Sequence, residues 1–460
     1  MHSRLRIMPL VPLVWVCAHV TGPAAAQEGW SQRAKLTAPD GQAGDWFGRS
    51  VAVNGDTLLI GADGHDEERG AVYVFERVGR TWAYMAKLTA PDGNAGDGFG
   101  ADISLSGDMA LIGAWEDDDL GVFAGSAYVF EKAAGAWAYT AKLTAPDGQF
   151  GDAFGVSVAL CGDAAAIGAR SDDNRGSAYI FERIGGAWMM AAKLTAPDGS
   201  SHDWFGQTVD LNESTAVIGA EGDDLWTGSA YVFERSGGTW VFAAKLAAPN
   251  GAGGDEFGRA VAICGGEIMI GAPYESDGDL LGSVHFFERA AGAWTHKAKL
   301  VAPDDAPLNL FGHAISASPD TMVIGALNDA DHLTGAAYVF NKVDGLWAYT
   351  IKLIAPDAGA NDYFSASVAV NEGTVVSGAI GDDDRGQSAG SAYVYESAGC
   401  APDANHDGAV DTRDVAFYLN LWTAGDFDAD WNSDGAIDSS DVIGFLNEWT
   451  AAFNNGGHCP

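Results

Sequence analysis

The sequence predicts an all-β, seven-bladed β-propeller followed by a small α-helical domain. Three observations predict it. A phrase of the form W-x-x-x-x-K-L, A-P-D/N, F-G, apolar strand, G-A, aromatic-rich strand recurs from Trp30 to Glu396. Its Lys-Leu pairs begin at Lys35, Lys87, Lys142, Lys193, Lys245, Lys299 and Lys352, a period of 51 to 55 residues. A fixed period of that size denotes stacked or circularly arrayed modules. After Cys400 the phrase stops, and two acidic loops take its place, each leading into apolar residues at helical spacing.

Residues 1–26 read as a targeting segment. Arg4 and Arg6 precede an apolar stretch from Ile7 to Val20, and small residues end at Ala24-Ala25-Ala26. A secretory signal cut before Gln27 is expected. The stretch is short and interrupted by Pro9 and Pro12, and no later segment approaches the ~18 apolar residues of a membrane span. The mature protein is expected to be secreted, either free or held at the cell surface.

Residues 27–398 form the repeat region. Each unit holds four strand signals, in the first unit Arg49 to Val53, Thr57 to Gly61, Ala71 to Glu76 and Thr81 to Leu88. Val, Ile, Tyr, Phe and Trp fill them, and Gly, Asn and Asp punctuate them. Asn54-Gly55-Asp56 suits a tight hairpin, and Gly79 marks the last turn. Helical periodicity is absent. Four antiparallel strands repeated seven times give a propeller, which protects its sheet edges by radial repetition. The phase of the repeat implies ring closure. Trp30 to Leu36 is a fourth strand with none before it, and the last unit ends near Glu396 after three strands. The first segment is therefore expected to complete the seventh blade.

Composition agrees. Hydrophobic residues make up 47% of the chain, enough for a core, and 61 glycines suit turn-dense β structure. The formal charge of −38 repels phosphate backbones and excludes nucleic acid as a partner. Of the five cysteines, Cys17 leaves with the signal. Cys400 and Cys459 bracket the C-terminal segment and are expected to pair in an oxidising compartment. Cys161 and Cys264 lie two repeats apart, out of disulfide range, and are expected to be free thiols.

The phrase resembles the FG-GAP repeats of integrin α-chain propellers. Phe47-Gly48 followed by Ile60-Gly61-Ala62 carries the likeness, and Gly271-Ala272-Pro273 spells it out; Phe364-Ser365 departs from it. The likeness covers all seven units and is closest to the bacterial, secreted variety. Integrin-type repeats carry a calcium loop between the F-G and G-A strands. Here that connection is as short as Asn54-Gly55-Asp56, so those calcium sites are not expected in the propeller.

The loops from strand two to three, and from strand four to the next blade, emerge on one face. The former carry Asp66-Glu67-Glu68, Glu116-Asp117-Asp118-Asp119, Asp172-Asp173, Asp223-Asp224, Asp277 with Asp279, Asp329 with Asp331, and Asp382-Asp383-Asp384. The residue before the F-G phenylalanine varies between units: Trp46, Gly98, Ala153, Trp204, Glu256, Leu310 and Tyr363. Trp115 and Trp226 lie in the same loops. Carboxylates suit cations, sugar hydroxyls or a basic partner, and aromatics stack on apolar sugar faces, so Trp46, Trp115, Trp204, Trp226 and Tyr363 are candidate contacts for a glycan or protein ligand. Asp and Gly also populate such loops because they suit turns. The regularly placed Trp82, Trp137, Trp188, Trp240, Trp294 and Trp347 are expected to pack. Gly386-Gln387-Ser388-Ala389-Gly390 matches G-x-S-x-G, but a strand pattern follows it where a nucleophile elbow needs a helix.

Residues 399–460 read as a calcium-binding domain. Asp403, Asn405, Asp407, Asp411 and Asp414 stand at positions 1, 3, 5, 9 and 12 of one loop, with Ala409 offering its carbonyl at position 7. Asp430, Asn432, Asp434, Ala436, Asp438 and Asp441 repeat the set 27 residues later. Gly408 and Gly435 permit the sharp turn at position 6. Such oxygen ligation suits Ca²⁺, one ion per loop and two in the domain. Helices are expected over Thr412 to Leu421 and Ser439 to Trp449. These paired EF-hand-like loop–helix units, with Asp at the twelfth position, resemble type I dockerins. The resemblance implies a cohesin-like partner, contacted at Thr412-Arg413 and Ser439-Ser440.

The leading expectation is an exported, non-catalytic binding or adhesion propeller, anchored through a calcium-dependent dockerin–cohesin interaction. The alternative is a dockerin-tethered extracellular polysaccharide-degrading enzyme, a lyase or glycoside hydrolase, although no catalytic constellation stands out. A third reading is a purely structural surface protein.

Overall fold

The computed structural model describes residues 30–397, apart from residue 80 and segments 277–281, 305–308 and 329–332, and residues 412–454, apart from 425–428, 430 and 432–436. Residues 30–397 form seven four-stranded antiparallel sheets. In the first blade the strands are Val51–Asn54, Thr57–Ala62, Ala71–Val78 and Thr81–Leu88. The first begins later than the sequence suggested. Gly48 turns the chain at φ +94°, its N–H bonding Gly61 O at 2.9 Å, and Arg49 and Ser50 pass before regular pairing starts.

The ring closes as expected. Trp30–Leu36 pairs antiparallel with Ser391–Ser397, from Trp30 opposite Ser397 to Leu36 opposite Ala392. A second latch lies beside it. The N–H groups of Gly44, Trp46 and Phe47 donate to the carbonyls of Gln387, Ser388 and Ala389. The same parallel bridge joins other blades, as at Gly70 with Phe99 and Gly125 with Phe154.

The core is distributed. Seven apolar clusters each straddle two adjacent blades; Leu58 and Ile60 of the first pack with Val376 and Val394 of the seventh. The F-G phenylalanine is fully buried and meets the third-strand aromatic of its own blade edge-on, as Phe47 does Tyr73 at 5.4 Å. The glycine of each G-A pair sets the blade spacing. A Cβ on Gly168 would sit 1.9 Å from Gly206 O of the next blade, so only glycine admits that backbone approach. Ser365 replaces the F-G glycine of the last unit at φ +69°. Its hydroxyl compensates, donating to Ala336 O at 2.7 Å and accepting from Ala326 N–H at 3.0 Å. The regularly placed tryptophans pack between blades, Trp82 and Trp240 being buried. Cys161 and Cys264 are free thiols at hairpin ends.

Beyond the propeller, helices span Thr412–Ala424 and Ser439–Asn454, each longer than the sequence suggested because apolar residues continue past the expected ends. They pack through Tyr418 stacked on Phe445 at 4.1 Å, with Trp431 edge-on to Phe445 at 5.0 Å. Among the described residues no helix is long and apolar enough to cross a membrane.

Candidate functional site

The loops between strands two and three and those between blades meet on one face, as the strand directions require. Gly64 N–H donates to Asp45 O, and Gly96 N–H to Glu67 O. The acids there divide into an inner and an outer set. In the second blade Lys142 Nζ lies 3.0 Å from Asp92, 2.9 Å from Asp117 and 2.5 Å from Asp119. The Tyr128 hydroxyl sits between Asp92 and Asp117, at 2.8 and 2.7 Å. Lys193 joins Asp147 and Asp172, Lys245 joins Asp198 and Asp223, and Lys35 joins Asp357, Asp382 and Asp384 in the same way. Thus Asp117, Asp172, Asp223 and Asp382, among the loop acids of this face, are buried ion-pair members. Burial alone would raise the Asp92 carboxyl and lower the Lys142 ammonium. Their hydrogen bonds outweigh burial, holding Asp92 below and Lys142 above the usual range. The acid triad Asp357, Asp382 and Asp384 has the spacing of a cation site, but the Lys35 ammonium occupies its centre. The fifth blade substitutes Glu275 and His285, 2.6 Å apart, with Lys299 3.1 Å from Glu275. Asp277, Asp279, Asp329 and Asp331 lie outside the described residues.

A second carboxylate closes the connecting loop. Asp97 accepts from Asn94 N–H at 2.6 Å and Asp152 from Gln149 N–H at 2.6 Å. Burial pushes both carboxyls up to about 6. Acids with such loop-holding roles are not free for a ligand. The outer set, including Asp66, Glu67, Asp118, Asp173 and Asp224, is exposed.

The varying position before the F-G phenylalanine is left-handed in every unit. Its φ runs from 54° at Trp46 to 66° at Gly98, with Ala153, Trp204, Glu256, Leu310 and Tyr363 between. A side chain there costs about 1 kcal/mol relative to glycine. Trp46 remains 38% exposed and Trp226 39% exposed, while Trp115, Trp204 and Tyr363 are half-buried. The candidate aromatics therefore do not form one platform. Trp115 and Trp204 flank Arg170, Trp226 packs on Trp204, and Trp46 stands apart beside Gly64.

That face opens onto a central channel of about 500 Å³ lined by the first strands of all seven blades. Arg49, Gln207, Arg259 and His313, each directly after an F-G pair, line it. Arg259 pairs with buried Glu221 at 3.1 Å and Arg49 with Asp63 at 3.5 Å. Burial, with Arg259 and Arg49 nearby, holds His313 down to about 3, so its imidazole is neutral. Within the channel Asp102 accepts from Val158 N–H and Asp210 from Ile263 N–H, both at 2.7 Å, tying neighbouring blades together. Burial nonetheless pushes both carboxyls up to about 6. Sequence reasoning missed this rim. The residues after F-G and after G-A vary between units as much as the position before F-G, and a column-by-column alignment of the seven units carries that signal.

Ser388 of the G-x-S-x-G match sits at φ 51° before the strand Ser391–Ser397, with its N–H on Asp383 Oδ1 at 2.7 Å. That is a loop, not a nucleophile elbow.

Of the calcium-loop candidates, Asp414 and Asp441 are fully buried at the starts of the two helices, and Asp441 accepts Asp438 N–H at 2.8 Å. Asp438, Thr412, Arg413, Ser439 and Ser440 are exposed. Asp403, Asn405, Asp407, Ala409, Asp411, Asp430, Asn432, Asp434, Ala436, Cys400 and Cys459 lie outside the described residues.

No curated protein matches the chain. The FG-GAP repeat matches it seven times, over residues 30–75, 82–130, 137–181, 188–233, 240–287, 294–340 and 347–395. Each match runs from the fourth strand of one blade through the third strand of the next, so the sequence unit straddles the structural one. The chain belongs to the FG-GAP repeat family.

Proposed function

We propose that this protein is an exported, non-catalytic binding propeller that takes its ligand at the channel-mouth face. Its C-terminal domain, loaded with two Ca²⁺ ions and dockerin-like, anchors it to a cohesin-like protein on a surface or complex. The observation that carries the binding role is the run of left-handed positions before the F-G phenylalanines. Six of the seven hold a side chain where glycine would fit without strain, and four of these are Trp46, Trp204, Leu310 and Tyr363. Large apolar side chains kept at a backbone cost on one loop face suit recognition rather than turn formation. The non-catalytic reading is supported by the channel carboxylates Asp102 and Asp210, which are spent on inter-blade N–H groups.

The residues present fit calcium. Asp414 and Asp441, at the twelfth loop position, are buried carboxylates at helix starts, the placement a loop-closing ligand needs. In such a site Asp403, Asn405, Asp407, Asp411 and Asp414 would hold one ion and their counterparts from Asp430 to Asp441 the other. Bound Ca²⁺ would join each loop to its helix.

A glycan array on the full chain, read beside a sugar-release assay, tests the binding role. Retention without release is expected, with Trp46→Ala and Trp226→Ala each weakening binding about tenfold. Sugar release would establish an enzyme instead. For the anchor, EDTA is expected to remove the calorimetric transition of residues 399–460 and the affinity for cohesin, and to leave the propeller transition in place. Identical thermograms with and without chelator would refute calcium binding.

A further inference from the structure

We propose that Arg170 and the tryptophans around it bind the carboxylate of an acidic sugar, one uronate-type residue at the end of a glycan. The inference rests on the binding-face reading and names the ligand class that face takes.

Arg170 follows the G-A pair of the third blade. Its guanidinium carbon lies 5.3 Å from the Trp115 ring and 5.6 Å from the Trp204 ring. Trp204 in turn meets Trp226 edge-on at 4.8 Å. Arg170 Nη1 donates to Gln207 Oε1 at 3.1 Å, and Gln207 lines the channel. The fork is therefore held in place by two indoles and an amide, not by an acid. Among the described residues no carboxylate lies within ion-pair distance of Arg170, whereas Arg49 and Arg259 on the same rim are paired with Asp63 and Glu221. Glu116 and Glu221 are near enough to be felt but not to pair. In a chain with 63 acids and 25 bases, a half-buried arginine without a carboxylate partner is an open valence.

The chemistry of the opening selects the ligand. A planar, pre-oriented guanidinium matches a carboxylate through two parallel N–H donors. The net charge of −38, with Glu116 and Glu221 close by, disfavours a polyanion and admits a single charge. The exposed indole of Trp226 offers an apolar surface for a pyranose ring, while Gln207 and Glu116 can meet its hydroxyls. A peptide taken up by strand addition finds the inner edges of the third, fourth and fifth blades, those nearest Arg170 in the ring order, already engaged. The inner-strand N–H groups of Val158, Leu160, Val209 and Ile263 are bonded by Asp102, Ser104, Ser157 and Asp210.

Titration calorimetry on the full chain tests this with four probes: a glucuronic-acid-terminated oligosaccharide, its methyl ester, the glucose-terminated analogue, and an acidic peptide. The acid is expected to bind at least about tenfold tighter than the other three. Arg170→Gln should erase that preference, Arg170→Lys should restore only part of it, and Trp226→Ala should weaken all three sugars. The comparison of acid with ester on the unaltered protein needs no variant to fold. Equal binding of acid and ester, with both weakened by Trp226→Ala, would overturn the carboxylate site and leave the binding face standing. Preference for the peptide would also overturn it. Failure of all four probes to bind, together with an empty glycan array, would sink the face reading itself.

Discussion

Deleting residues 30–36 is expected to abolish the cooperative unfolding transition of the propeller and turn the monomer into an aggregating species. The segment is the fourth strand of the last blade, paired with Ser391–Ser397 over its whole length. Its loss removes roughly six backbone hydrogen bonds, each worth about 1 kcal/mol net. It also removes Leu36, buried among residues of the first and last blades, for about 2–4 kcal/mol. Lys35 goes too, leaving Asp357, Asp382 and Asp384 without their shared cation. The sum approaches the whole margin of about 5–15 kcal/mol that holds a domain folded. The bared edge of Ser391–Ser397, whose sequence is SAYVYES, is then a template for pairing with other chains. Calorimetry and light scattering on the truncated chain check this. Loss of the cooperative transition, with mass growing over time, is the expected result. A synthetic peptide of residues 27–40 should restore the transition in trans. A truncated chain that melts like the intact one would show the latch at Gly44–Phe47 to be sufficient alone.

That prediction was readable from the sequence because the period exposes its own phase. A W-x-x-x-x-K-L phrase precedes the first F-G pair, and nothing follows the last SAYVYES to complete it. Blade number, strand number and the packing tryptophans were readable for the same reason, since seven copies average out local ambiguity. The start of each first strand was not, because the Gly48-type bulge looks like strand in composition. Which of the acids turn inward was not readable, for a deeper reason. A carboxylate in a turn reads the same whether it faces water or a lysine brought in by tertiary pairing. Asp92 and Lys142 stand 50 positions apart in the chain, yet within one blade they touch. The clue lay in the repeat itself, where a charged Lys precedes an inward Leu in every fourth strand, buried in all but the partly buried Leu300. Arg170 carried no such signal, because it opens its loop at the position after G-A, where the residue type changes from unit to unit.

Lys142→Met is expected to lower stability by about 2–4 kcal/mol, less than the full cost of stranding a buried charge because water reaches the edge of the site. The side chain of Asp117 is 3% exposed and receives Lys142 at 2.9 Å, whereas Asp92 and Asp119 are about half exposed and can turn to solvent. The loss is therefore concentrated on one carboxylate. In a propeller of this length it corresponds to a midpoint shift of roughly 3–5 °C. The pH dependence carries the mechanism. Asp92 has a depressed carboxyl in the native protein, so its contribution is present above the unfolded value and lost as pH falls through the folded one. In the variant that contribution is gone at every pH. The gap between variant and parent should therefore hold from about pH 7 to about pH 4 and narrow as pH falls further, through the folded value of Asp92. Pairing Lys142→Met with Asp117→Asn should recover most of the loss, since the buried charge then goes with its partner. Equal stability of Lys142→Met and the parent across that range would mean that solvent, not lysine, neutralises the inner acids. The binding face would then present far more negative charge than the ion pairs leave it, and an acidic ligand at Arg170 would become untenable.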